Sequence, residues 1–326
     1  MRASPEQRLA GIFERGGPGI ILLLLCIAVG IADRNFLRPQ NVVNFAEQTS
    51  VIAIMAVGQT FVIVSAGIDL SVGALMALCG VIGALLMRDG FPIWYSVCAA
   101  IACGGLAGIA SGFVSARLGI ASFITTLAMM LACRGLAKAL TGQAPIFDLP
   151  TRFFGVDRPT WLGIPTSVHI MILMAVLAHV LLAYTRFGRH TYAVGGGPEA
   201  ARLAGINVVE HNSLVFGLCG AFTAIGGLIL ASRSMSAQPT AGMGYELKAI
   251  AAAVIGGCSL FGGRGTVVGT MAGAFILAVI KNALNLMNVP DAWQDVVSGA
   301  IIVAAAVVDA LTVRRTIALR RSSRAS

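Results

Sequence analysis

Residues 244–289 read GYELKAIAAAVIGGCSLFGGRGTVVGTMAGAFILAVIKNALNLMNV. Two apolar runs, 246–263 and 266–287, meet at a cluster of glycines and one arginine. Each run approaches the roughly 20 apolar residues that carry a helix across a bilayer. Only Glu246, Lys248, Arg264 and Lys281 are charged in the whole stretch. A helix built from either run has no polar face to offer water, so both read as membrane-embedded.

The pattern extends through the chain. Hydrophobic residues make up 57% of the 326 residues, and charged residues only 11%, against roughly 25% in an ordinary soluble domain. Mean hydropathy is +0.86. Too few charges are present to cover a soluble fold of this size. The composition therefore excludes a soluble enzyme, a nucleic-acid binder and a disordered chain. It leaves an all-α, polytopic transmembrane bundle in one integral-membrane domain, residues 1–326.

Apolar segments run 19–32, 49–66, 71–88, 93–116, 121–141, 164–184, 213–232, 246–263, 266–287 and 294–312, which predicts about ten spans. Almost no loop separates the segments around 67–71 and 262–266, so eight to ten spans fit. Residues 1–16 form a polar N-terminal segment, read either as a surface helix capped by Ser4 or as a tail. The short first run also admits a cleaved signal peptide, against which acidic Glu6 and Glu14 upstream argue.

The net charge of +9 sits in short loops and at the termini, with no basic stripe interleaved with aromatics. With ten spans, thirteen arginines fall on the side of the termini and six in the opposite loops. The positive-inside rule then places both termini, the 185–212 loop and the basic tail 313–326 in the cytoplasm. Counting four further basic residues within the segments as external narrows the contrast to thirteen against ten. The seven cysteines lie in or beside apolar runs, with no CxxC and no histidine at ligand spacing; they read as small packing residues.

A weak internal echo links Gly67-Ile-Asp69-Leu70 with Gly244-Tyr-Glu246-Leu247, and Gly108-x3-Gly112 with Gly269-x3-Gly273. If spans 2–5 match spans 7–10, the odd offset gives halves of opposite topology, an inverted repeat. Gly108, Gly112, Gly265, Gly269 and Gly273 have the small-xxx-small spacing that lets helix backbones approach. Polar residues inside spans are costly and mark either a solute path or helix–helix hydrogen bonds. By that criterion Gln59, Asp69, Ser71, Thr125 and Asn282 are candidates for a translocation path or a helix cap. Asp69 in particular reads as the N-cap of the next helix or as a proton site.

The 185–212 loop contains Pro198-Glu199-Ala200-Ala201-Arg202-Leu203-Ala204, a short helix stopped by Gly205. The chain has no Gly-Lys-Ser/Thr, GxSxG or HExxH. It therefore reads as a transport subunit rather than an enzyme, with no cofactor and no metal. Its energy comes from an ion gradient or from an ATPase docked on the loop.

Four stretches resemble the membrane permease subunits of bacterial ATP-binding-cassette sugar importers of the ribose/xylose/galactose type. They are GIDLSVGALMAL (67–78), SFITTLAMMLACRGLAKALTGQAPI (122–146), RFGRHTYAVGGGPEAARLAGINV (186–208) and the block 244–289. The resemblance implies a homodimer in the inner-membrane lipid, a cytoplasmic ABC ATPase subunit and a periplasmic sugar-binding protein. It implies that Gly195, Gly196, Glu199, Ala200, Ala201, Arg202 and Gly205 form the ATPase-coupling loop. Gly256, Gly257, Gly262, Gly263 and Gly265 would form the glycine-rich turn of the second half. Gly197, Lys248, Cys258 and Phe261 depart from the usual pattern, and Lys248 and Phe261 leave the sugar open. The alternatives are a proton-coupled secondary transporter of a small polar solute using Asp69, and a membrane scaffold or receptor.

Overall fold

The computed structural model describes residues 5–153, 163–304 and 307. The helices are α1 (Pro5–Ala32), α2 (Pro39–Val64), α3 (Val72–Arg88), α4 (Ile93–Leu118), α5 (Ser122–Thr141) and α6 (Thr166–Tyr184). They continue with α7 (Arg186–Gly196), α8 (Pro198–Leu203), α9 (Val208–Arg233), α10 (Tyr245–Ile255) and α11 (Val267–Leu286). A last helix, α12, covers 291–304. Among the described residues there is no β-strand; one isolated bridge joins Ile146 to Ala237.

Six helices, α2, α4, α5, α6, α9 and α11, are long and apolar enough to cross a membrane. Their ends follow local chemistry. Gly119 closes α4 in the left-handed conformation (φ +67°), a position that favours glycine. The side chains of Thr185, Asn207 and Thr266 accept hydrogen bonds from the first turns of α7, α9 and α11.

Two expectations about helix extent need correction. The segment 246–263 is helical only over the 11 residues of α10, about 17 Å of rise. Gly256 and Gly257 end it, and the remainder is a turn. The N-terminal polar segment and the first apolar run are not separate elements: one helix runs from Pro5 through Pro18 to Ala32. Ser4 and the tail 313–326 lie outside the described residues.

The core is built around α2 and α9. Phe61, Val62, Ile63, Phe216 and Cys219 are buried between the surrounding helices. Large apolar side chains on α1, α4, α5 and α6 are exposed instead, among them Leu23, Leu106, Leu131 and Leu173. In water this surface would be unstable; in lipid it is the favourable one. Close backbone contact replaces a hydrophobic driving force between helices. Gly104, Gly108 and Gly112 of α4 lie on the backbone of α9 at Gly220, Phe216 and Asn212. A methyl group at Gly108 would overlap the Phe216 carbonyl oxygen. Gly269 and Gly273 of α11 pack the same way on Gly256, the C-cap of α10, and on Ala252 within it. Gly265 lies in the turn before α11 and not within a helix.

Candidate functional site

Two non-helical segments each lead from a long helix into a shorter one; the first is largely buried, and the second alternates buried and exposed residues. Residues 65–71 follow α2 and precede α3; residues 234–244 follow α9 and precede α10. Buried non-helical backbone needs internal partners, and side chains supply them. Ser122 Oγ accepts from Ile68 N at 2.9 Å, and Thr126 Oγ1 accepts from Leu70 N at 3.1 Å. Across the bundle, Arg134 of α5 donates to the carbonyls of Pro239 (3.1 Å) and Ala241 (2.8 Å).

Asp69 is fully buried. Its Oδ1 accepts from Ser71 N (2.8 Å) and Ser71 Oγ (2.6 Å), while Oδ2 has no partner. The N-cap of α3 is Ser71, not Asp69. Asp69 instead forms an Asx turn two residues ahead of that cap. At the opposite segment Glu246 Oε1 accepts from Gly244 N, and Oε2 packs onto the start of α3 at Gly73. A side chain at Gly73 would overlap that carboxylate and the Gly242 carbonyl. The starts of α3 and α10 therefore meet inside the protein, each with one acidic residue beside it.

The other candidate residues lie apart. Gln59 is buried on α2, its Oε1 accepting weakly from Cys219 Sγ at 3.6 Å and its Nε2 without a partner. Thr125 donates to Ser122 O within its own helix. Asn282 exchanges two amide hydrogen bonds with Asn41, both 2.9 Å, and so ties α11 to α2. No hydrogen bond joins Gln59, Thr125 or Asn282 to one another or to the Asp69–Ser71 turn.

The loop residues form two short helices, α7 packed on the membrane domain and α8 mostly exposed. Gly195 is buried, and a methyl group there would overlap the Val64 carbonyl at the end of α2. Gly263 N donates to that same carbonyl at 2.9 Å. Gly262 (φ +82°) has a conformation glycine tolerates and lies against Gly195 and Ala66. Tyr192 Oη donates to Gly265 O at 2.7 Å, and burial pushes its phenol up, which keeps it a donor. The end of α2, the glycine-rich turn and α7 are thus locked backbone to backbone. Beyond this lock α8 projects outward. Glu199 and Arg202 pair at 2.7 Å on its exposed face, Ala201 is buried against Val194 and Val208, and Leu203 is 91% exposed. Gly196, Ala200 and Gly205 are exposed as well.

Sequence reading did not single out Leu203, Tyr192 or Arg134. For Arg134 a signal was available: an arginine in the middle of an apolar run requires acceptors near it.

Fold and site define the class: a multi-pass helical membrane protein with interrupted helices at its centre. Residues 41–306 match the family model described as branched-chain amino acid transport system / permease component. The chain is 44% identical, over 89% of its length, to the ribose import permease protein of Escherichia coli strain K12, covering 92% of that protein. It is 38% identical to the Escherichia coli K12 L-arabinose transport system permease protein, with 91% of each chain covered. It is 35% identical to the xylose transport system permease protein of Haemophilus influenzae, over 89% of this chain and 96% of the other. No solved structure matches the chain significantly. The chain belongs to the ATP-binding-cassette sugar-importer permease family that its sequence resembles.

Proposed function

We propose that this chain is the membrane-spanning subunit of an ATP-driven importer that moves a monosaccharide, ribose-like or related, across the bacterial inner membrane. Sugar would arrive on a periplasmic binding protein, and ATP hydrolysis would occur in a separate cytoplasmic subunit. Two copies of the chain would form the pore, with both termini in the cytoplasm. The named activities of the relatives support the substrate class.

The observation that carries the coupling role is the lock between α7, the end of α2 and the glycine-rich turn. It gives α8 a stiff connection to both halves of the membrane domain. A partner pressing on the exposed face of α8, at Leu203, Glu199 and Arg202, would move α2 and α11 together. Backbones in contact transmit displacement because packed interiors compress little.

We further infer ten membrane-embedded segments, α1 to α6 and α9 to α12, in which α2 to α5 and α9 to α12 form an inverted repeat. Support comes from the parallel order of a long helix, a non-helical segment and a short helix in α2–α3 and α9–α10. In this account Asp69 shapes the turn before α3 and carries no proton across the membrane, since both bonds to its Oδ1 are local.

Substituting Leu203→Asp or Glu199→Lys tests the reading. In the reconstituted importer each should leave the permease folded, retain ATPase turnover and lower sugar uptake several-fold. Unchanged uptake in both variants removes α8 as the coupling element.

A further inference from the structure

One cavity in the membrane domain has a chemistry that a path for neutral sugars does not call for. It lies between α2, α10, α11 and α12 and has a volume of about 200 Å³. That is below the roughly 300–1,000 Å³ of pockets for drug-sized ligands, and suits a ligand of monosaccharide size. Lys248 of α10 and Lys281 of α11 line it, as does Arg233 at the end of α9, together with Gln48, Thr49 and Asn285. No carboxylate lines it.

The two lysines have no ion pair within 4 Å among the described residues. The nearby described carboxylates form no ion pair with either lysine, and Asp295 and Glu246 act on Lys248 only at longer range. Glu47 pairs with Arg233 at 3.3 Å, Glu246 packs on the start of α3, and Asp295 is exposed on α12 outside the lining. Lys248 is half-buried and Lys281 exposed; two cations on one cavity repel, and Lys248 has also lost part of its hydration. An anion between them would relieve both penalties. The neutral groups complete a site for hydroxyls. The Asn285 amide oxygen already accepts from Gln294 Nε2 at 2.7 Å, which leaves its N–H groups to donate. The Thr49 hydroxyl donates to Phe45 O at 2.6 Å, which leaves its lone pairs to accept. The Tyr245 ring, with Lys248 Nζ 5.4 Å from its centroid, forms part of the wall and offers an apolar face for C–H groups.

We propose that this cavity binds an anionic group flanked by hydroxyls, with Lys248 and Lys281 clamping the anion. Two sources share that chemistry: a sugar acid carried as solute, and the headgroup of an anionic phospholipid. With the sugar acid as occupant, the inference deepens the permease reading, on which it rests, by adding negative charge to the solute class.

Binding of radiolabelled D-glucuronate to the full chain in phosphatidylcholine nanodiscs tests it, with D-ribose as the neutral probe. The expected result is saturable glucuronate binding that ribose does not displace. It should weaken at least about tenfold in Lys248→Met and in Lys281→Met, the loss of one charge-assisted contact. Lys248→Arg and Lys281→Arg should restore binding in part, which separates lost charge from lost folding. Selective retention of phosphatidylglycerol over phosphatidylcholine, abolished in the methionine variants, assigns the same site to lipid. Glucuronate and phosphatidylglycerol binding that are both absent, or both unaffected by the methionine variants, overturns the proposal. ATP-driven sugar uptake tests the permease reading separately, because the nanodisc assay needs neither ATP nor partner subunits.

Discussion

Replacing Gly195 by alanine probes how α7 and α8 are joined to the membrane domain. The added methyl would overlap the Val64 carbonyl oxygen and stand 2.8 Å from Gly263 N. Both obstacles are backbone, so no side chain can swing aside. The end of α2 and the glycine-rich turn must part from α7. Overpacking of this kind costs about 1–3 kcal/mol. Separation also threatens the 2.9 Å hydrogen bond from Gly263 N to Val64 O, worth about 1 kcal/mol net. A combined loss of about 2–4 kcal/mol corresponds to a fall of roughly 3–6 °C in apparent melting temperature for a chain of this size. The neighbouring glycine supplies the control. A methyl group on Gly196 meets nothing within 4 Å, so Gly196→Ala should leave melting unchanged or raise it slightly, as Gly→Ala does in a helix. The assay is thermal unfolding of the purified chain in detergent, followed by thiol-reactive fluorescence at its buried cysteines. Equal melting of Gly195→Ala and wild type would refute the backbone lock, and with it the route from α8 to α2.

Other substitutions test separate parts of the structure. Gly108→Ala should destabilise by about 1–3 kcal/mol, because the methyl overlaps the Phe216 carbonyl; Gly135→Ala, with open space around it, should not, and melting curves compare the two. Asn41→Ala removes both amide bonds to Asn282 and should cost about 1–3 kcal/mol, again read by melting. Asp69→Asn keeps an acceptor for Ser71 N and Oγ, so ATP-driven uptake by the reconstituted importer should survive; loss of uptake in a folded variant would give Asp69 a role in transport.

Much of the architecture was legible because lipid imposes a simple rule. Runs such as 93–116 and 213–232 have no polar face, and they form α4 and α9 nearly over those bounds. Glycine spacing on α4 and α11 pointed to close helix contacts, since the absence of Cβ is itself the physical cause. The short α10 was less visible. Residues 256–263 are apolar enough to continue a span, and only the conformational preference of Gly256 and Gly257 marks the helix end. Gly195 carried a second ambiguity. From sequence it belongs with the exposed loop residues Glu199 and Arg202, but it is buried against Val64. That contact joins residues 131 positions apart, which no local pattern encodes. Leu203 gave no signal for a similar reason: an apolar residue on a short amphipathic helix reads as inward-facing until the packing direction of α8 is known. The polar residues Gln59, Thr125 and Asn282 share a composition argument but not a location, because periodicity fixes a face and not a neighbour.

Energy source is the central claim, and one uptake measurement addresses it. Proteoliposomes would hold this chain with its ATPase and sugar-binding partners, ATP enclosed, and labelled pentoses outside. The account predicts that sugar accumulates when ATP is present and does not accumulate under a proton gradient alone. Accumulation by the isolated chain under a proton gradient, abolished by Asp69→Asn, would contradict it.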